Sequence, residues 1–79
     1  MELKDYEEIF NFIVQLFTDN KTDILPLSRV YNETQARFKI ERDKAKSIIA
    51  RYNIDGLCES VLQGAEHFLL LKRFEKIGV

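Results

Sequence analysis

The fold is decided by residues 41–71, which read ERDKAKSIIARYNIDGLCESVLQGAEHFLLL. Apolar residues three and four positions apart predict an amphipathic helix over roughly residues 41–52. Two short apolar segments follow, residues 57–62 and 67–72, and the glycine-containing stretch 63–66 lies between them. Short apolar runs on either side of a turn predict two paired strands. A helix followed directly by a β-hairpin is therefore the central prediction.

Two more helices precede this stretch. Apolar spacing of three and four predicts a helix over residues 5–18, and Asp5 and Glu8 have the spacing of a capping box at its start. Residues 24–28, ILPLS, predict a short extended segment that leads to Ser28 as the N-cap of a second helix. The first two residues of that segment could also add a third strand to the hairpin.

This order of elements predicts the fold class. Three helices followed by a C-terminal β-hairpin, the wing, with a possible short third strand, make an α+β winged helix-turn-helix. We expect one domain over residues 1–79, in which residues 73–79 are either a tail or the start of an extra helix. The fold is a scaffold for recognition and does not by itself name a ligand.

Composition limits the classes of function. The chain has 79 residues, of which 46% are hydrophobic and 32% charged, an ordinary balance for a folded domain. The longest uncharged run is too short to span a bilayer, so no membrane contact is expected. A single cysteine, Cys58, cannot form an internal disulfide, which favours a reducing compartment.

The sequence lacks the usual combinations of catalytic residues. His67 is the one histidine and Cys58 the one cysteine. They could face each other across the hairpin, but a thiol and an imidazole without an orienting third group do not make a nucleophilic site. Zinc needs three or four ligands at suitable spacing. We therefore expect a non-enzyme with no metal and no cofactor.

Nucleic-acid binding is one possible function. The whole chain has a net charge of −1, but residues 21–55 carry eight bases and five acids, a net +3. In a helix-turn-helix the third helix enters the major groove. Asp43 lies in the middle of its presumed reading face and would repel phosphate, so an ordinary solvated face is the alternative. The candidate nucleic-acid-binding residues are Arg42, Lys44, Lys46, Ser47 and Arg51.

Assembly is a separate prediction. Phe12 widens the apolar stripe of the first helix, and residues 68–71 are apolar on both faces of their strand. Phe12 could pack under the hairpin or be exposed at a subunit contact. We predict a homodimer with Phe12, Phe68 and Leu70 as contact residues.

Several short motifs resemble those of the LOTUS domain family, also called OST-HTH. The ILPLS segment at 24–28 leads into a helix with Tyr31 and Phe38, as in that family. Residues 48–60, IIARYNIDGLCES, are similar to its third helix and wing, as are Gln63-Gly64 and residues 67–70. The resemblance spans about residues 6–72.

What the resemblance implies is a noncatalytic interaction module in cytoplasmic or perinuclear germ granules. LOTUS domains with an additional C-terminal helix dock a Vasa-type DEAD-box RNA helicase through their second helix and that additional helix. Minimal LOTUS domains without that last helix are linked to structured or G-rich RNA, and some members dimerise through the sheet side. A DNA-binding regulator is the remaining alternative. The implied helicase-docking residues are Arg29, Asn32, Glu33, Gln35 and Ala36, a face on which a small residue is surrounded by polar ones.

Overall fold

A computed structural model describes residues 3–78 and, of Leu3, the backbone only. Its elements are α1 (Leu3–Asp19), β1 (Ile24–Pro26), α2 (Leu27–Phe38), α3 (Arg42–Ile54), β2 (Cys58–Gln63) and β3 (Glu66–Leu71). Three helices and a three-stranded antiparallel sheet make an α+β domain with the arrangement of a winged helix, which confirms the fold class predicted from the sequence. Among residues 3–78, no helix is both long enough and apolar enough to cross a bilayer.

The sheet has the order β1-β3-β2, so the short third strand pairs with the second strand of the hairpin. Leu25 lies opposite Leu69, and Ser60 lies opposite Leu69 on the other side. The hairpin closes at the Gln63–Glu66 pair, and Gly64 takes a positive φ of 63°. Glycine at the first position of a two-residue turn supplies the backbone twist that joins two antiparallel strands tightly. The predicted strands are correct within one residue.

The core lies between the helices and one face of the sheet. At its centre the ring of Tyr52 is fully buried, with the rings of Tyr6 and Phe10 edge-on at centroid distances of 4.8 and 5.3 Å. The Tyr52 hydroxyl donates a 2.6 Å hydrogen bond to the carbonyl of Tyr6, which satisfies its one polar atom. The buried hydrophobic residues are Ile9, Phe10, Ile13, Val14, Leu16, Phe17, Leu25, Val30, Ala45, Ile48, Ile49, Tyr52, Leu57, Cys58, Leu69 and Leu71.

Both predicted N-caps are wrong. α1 already includes Leu3, so Asp5 lies in its first turn and Glu8 pairs with Lys4 at 3.9 Å instead of capping. α2 begins at Leu27 after Pro26, whose φ and ψ of −55° and 132° are extended, and no side chain caps it. Proline fixes the extended geometry that an N-cap residue needs, so Ser28 is already inside the helix.

The chain after β3 is an irregular tail. Between residues 72 and 78 the structure contains no helix, in contrast to the alternative in which residues 73–79 start an extra helix. Asn11 of α1 holds the tail by two hydrogen bonds of 2.8 Å, one donated to the carbonyl of Ile77 and one accepted from its N–H. Lys76 Nζ adds a 2.9 Å bond to Gln15 Oε1. Val79 lies outside the described residues.

Candidate docking faces on α2 and α3

The outward side of α2, which we call the α2 face, contains Arg29, Asn32, Glu33, Gln35 and Ala36. Arg29 is exposed, and its Nη2 donates a 3.0 Å hydrogen bond to Asn20 Oδ1 in the turn after α1. Its Nε lies 3.9 Å from Glu33 Oε2. Ala36 is exposed with no side chain beyond Cβ, so a partner backbone could approach the helix closely there. The structure thus brings together all five residues that the resemblance implied.

Arg42 connects this face to α3. Its Nη1 donates hydrogen bonds of 2.9 Å to Asn32 Oδ1 and 3.1 Å to Gln35 Oε1. Its guanidinium carbon also lies 5.2 Å from the centroid of the Tyr31 ring, within cation–π range. The sequence placed Arg42 among the nucleic-acid-binding residues, whereas the structure gives it a bridging role on the α2 face.

The outward side of α3, the α3 face, contains Lys44, Lys46, Ser47, Ala50 and Arg51. All five are exposed. Within residues 3–78, the side chains of Lys44, Lys46 and Ser47 form no hydrogen bond or ion pair. Unpaired lysines on a helix are available to a phosphate backbone, but Asp43 is exposed on the same helix and opposes that contact.

Arg51 differs from the lysines because the C-terminal end of α3 is tied to α1. Arg51 Nε lies 3.3 Å from Asp55 Oδ2, and the Tyr6 hydroxyl donates a 2.6 Å hydrogen bond to the same oxygen. Burial raises the pKa of Tyr6 to about 12, and the hydrogen bond to Asp55 adds to that rise. The i,i+4 spacing of Arg51 and Asp55 could have been found in the sequence. The contact with Tyr6, 49 positions away, could not.

The predicted dimer residues are only partly exposed. Phe12 meets Phe38 of α2 edge to face, with ring centroids 5.5 Å apart, so its aromatic contact is with a helix and not with the hairpin. Phe68 and Leu70 are half-buried on the sheet face away from the core, with Phe68 opposite Val61. The large apolar side chains most exposed among the described residues are Ile54, Leu62 and Phe74. The homodimer stays a prediction, and light scattering at two concentrations tests it.

Cys58 and His67 do not face each other. Cys58 pairs with Leu71 and His67 pairs with Leu62, so the two residues lie toward opposite ends of the hairpin. Burial raises the pKa of the Cys58 thiol to about 12, which keeps it protonated at neutral pH. In the part of the chain that the structure describes, no group of three or more His, Cys, Asp or Glu side chains is placed to hold a metal ion.

Compared with protein-family models, curated proteins and solved structures, the chain matches none.

Proposed function

We propose that this domain is a noncatalytic interaction module that docks a Vasa-type DEAD-box RNA helicase through the α2 face. The observation that carries the proposal is the set of hydrogen bonds that hold the polar side chains of this face around an exposed alanine. Side chains that are already held in place lose less conformational entropy when a partner binds.

The charge of the α2 face favours a protein partner over a phosphate backbone. Arg29 is close to Glu33, and the guanidinium of Arg42 is shared between two amide oxygens and an aromatic ring. A surface of this kind offers directional donors and acceptors with little net charge, which suits specific protein recognition. The choice of a DEAD-box helicase as the partner is supported by the resemblance to LOTUS domains.

Two exposed alanines provide a matched test. Ala36 lies on the α2 face, two residues before the end of its helix, and Ala50 lies on the α3 face, four residues before the end of its helix. Immobilised helicase core should retain the wild-type domain and Ala50→Glu but should not retain Ala36→Glu. Circular dichroism of both variants checks that they fold. Equal retention of all three proteins, or no retention of the wild type, would contradict helicase docking through α2.

RNA binding through the α3 face is the second candidate, because the side chains of Lys44 and Lys46 are exposed and form no hydrogen bond or ion pair within residues 3–78. The same two variants separate it from the first. A structured or G-rich RNA should bind Ala36→Glu as it binds the wild type, and Ala50→Glu more weakly, since the new carboxylate lies between the lysines and Arg51. An affinity that does not fall as salt rises would rule out a phosphate-led contact.

A further inference from the structure

The hydroxyl of Tyr6 lies where the first turns of α1 meet the C-terminal end of α3. It donates to Asp55 Oδ2 at 2.6 Å, and the same oxygen is 3.3 Å from Arg51 Nε. The hydrogen bond is at the surface, although the ring behind it is half-buried against Tyr52. A group added to this oxygen would therefore project into solvent beside one acid and one base.

The three tyrosines of the chain differ in how easily an enzyme can reach them. Tyr52 is fully buried and its hydroxyl is bonded to a backbone carbonyl. Tyr31 is half-buried, and the guanidinium of Arg42 lies over its ring. The hydrogen bond of the Tyr6 hydroxyl is at the surface, and Tyr6 lies in the first turns of α1, where its carbonyl accepts the hydrogen bond of the buried Tyr52 hydroxyl.

The residues around Tyr6 are acidic. Asp5 precedes it, and Glu7 and Glu8 follow it. A tyrosine within a run of carboxylates is the kind of substrate that a basic binding groove recognises by charge complementarity. The acidic neighbours therefore favour a modifying enzyme with a basic substrate groove, and the surface position of the hydrogen bond makes the hydroxyl accessible to it.

We propose that Tyr6 is a phosphorylation site for a protein tyrosine kinase that prefers acidic substrates, and that the phosphate binds Arg51 in place of Asp55. In the transfer, Tyr6 Oη forms a bond to the γ-phosphorus of ATP, the bond from that phosphorus to the ADP oxygen breaks, and the phenolic proton passes to a base of the kinase. The product can no longer donate a hydrogen bond to Asp55.

The charges around the phosphate determine which contacts replace the old one. A phosphotyrosine carries a charge of about −1.5 to −2, so it repels the Asp55 carboxylate and attracts the nearby Arg51 guanidinium. Arginine binds phosphate through two parallel N–H donors, a stronger contact than the single 3.3 Å approach to Asp55. The start of α1 also favours a negative charge because of the helix dipole.

The consequence for binding rests on the RNA-binding candidate described above. Once its guanidinium binds the phosphate on Tyr6, Arg51 is no longer available to a nucleic acid. The phosphate also adds negative charge at the C-terminal turn of α3, and this part of the α3 face should therefore repel a nucleic acid. The α2 face contains none of these three residues. Docking through α2 should therefore be unchanged. Phosphorylation of Tyr6 would then weaken binding at the α3 face and leave binding at the α2 face unaffected.

The site is tested by incubating the full chain with ATP and a purified tyrosine kinase that prefers acidic substrates, followed by peptide mapping. We expect phosphate on Tyr6, little on Tyr31 and none on Tyr52 while the domain is folded. Tyr6→Phe is the control and should lose the main phosphopeptide. A folded chain that is unmodified at Tyr6, or modified first at Tyr31, would overturn the proposal.

The capture of Arg51 has its own measurement, which does not depend on any partner. Phosphorus NMR gives the second pKa of the phosphate in the phosphorylated wild type and in phosphorylated Arg51→Gln. Because Arg51 stabilises the dianion, its loss should raise this pKa by about one unit, whereas Lys46→Gln should leave it nearly unchanged. Equal pKa values in all three proteins would refute the capture, even if the helicase and RNA proposals both failed.

Discussion

The α2 and α3 faces are adjacent and both carry bases, yet their side chains are held very differently. On α2, the polar groups Arg29, Asn32 and Gln35 are bonded to residues outside the helix. On α3, Lys44 and Lys46 form no hydrogen bond or ion pair within residues 3–78. The difference shows that counting bases along a sequence does not identify a phosphate-binding surface, because a base that is already bonded is less available.

The largest expected effect compares the removal of a bonded base with the removal of an unpaired one. Arg42→Ala removes two hydrogen bonds and a cation–π contact between α2 and α3, so it should lower the free energy of unfolding by about 1–2 kcal/mol. Lys46→Ala removes the same charge and should change it by less than about 0.5 kcal/mol. Urea unfolding measures both. If both variants lose the same free energy of unfolding, the side chains of the two faces are not held differently.

A second prediction concerns the inward side of α2. Thr34 is fully buried, and its hydroxyl has no hydrogen-bond partner among the described residues. Thr34→Val removes that unpaired group and should raise the free energy of unfolding by about 1 kcal/mol. The control is Thr18→Val in α1, because the Thr18 hydroxyl donates to the carbonyl of Val14 at 2.8 Å and its loss should not stabilise. If Thr34→Val destabilises the domain, that hydroxyl has a partner in solution.

The helices and strands were largely predictable because they follow from local spacing. Ala45, Ile48, Ile49 and Tyr52 recur at helical intervals and are all buried. The glycine in the hairpin turn marked the strand pair. The start of α2 was not predictable in the same way, since Pro26 provides the geometry that the sequence pattern assigned to Ser28.

The parts that escaped prediction depend on contacts between distant residues. The tail is irregular, and Asn11, 66 positions away, binds the backbone of Ile77. The sequence of residues 73–79 does not indicate that Asn11 is the partner. Arg42 has the residue type and the position of a groove-reading side chain. It binds Asn32 and Gln35 instead because the turn between the helices brings α2 within reach. Only the packed arrangement distinguishes these two roles.

A smaller effect on stability should appear at alkaline pH, where the hydrogen bond from Tyr6 of α1 to Asp55 after α3 is lost. The pKa of Tyr6 is raised from 10.0 to about 12 by burial and by Asp55. A raised pKa in the folded state stabilises the protonated form, so this contribution is complete below pH 10 and is lost as the pH rises toward 12. Tyr6→Phe should therefore flatten the decline of stability between pH 10 and pH 12, measured by urea unfolding. An unchanged slope would mean that the pKa of Tyr6 is not raised in the folded domain.

The smallest expected effect ranks the bases by their availability to RNA. With a single-stranded G-rich RNA, Lys46→Gln should reduce the slope of log affinity against log salt by about 0.7, the value for one phosphate contact with a single strand. Arg51→Gln should reduce it less, because Asp55 already partly neutralises Arg51, and Arg42→Gln least. Fluorescence anisotropy across a salt series gives the three slopes. A reduction for Arg42→Gln as large as that for Lys46→Gln would show that the bonds of Arg42 do not restrain it.

The most direct measurement of the central claim is a titration of the ¹⁵N-labelled domain with the helicase core, followed by amide chemical shifts. If the hydrogen-bonded α2 face is the docking surface, the largest changes should fall between residues 29 and 36 and should be absent in Ala36→Glu. Changes centred on residues 44–51 or on the hairpin, with α2 unaffected, would contradict it.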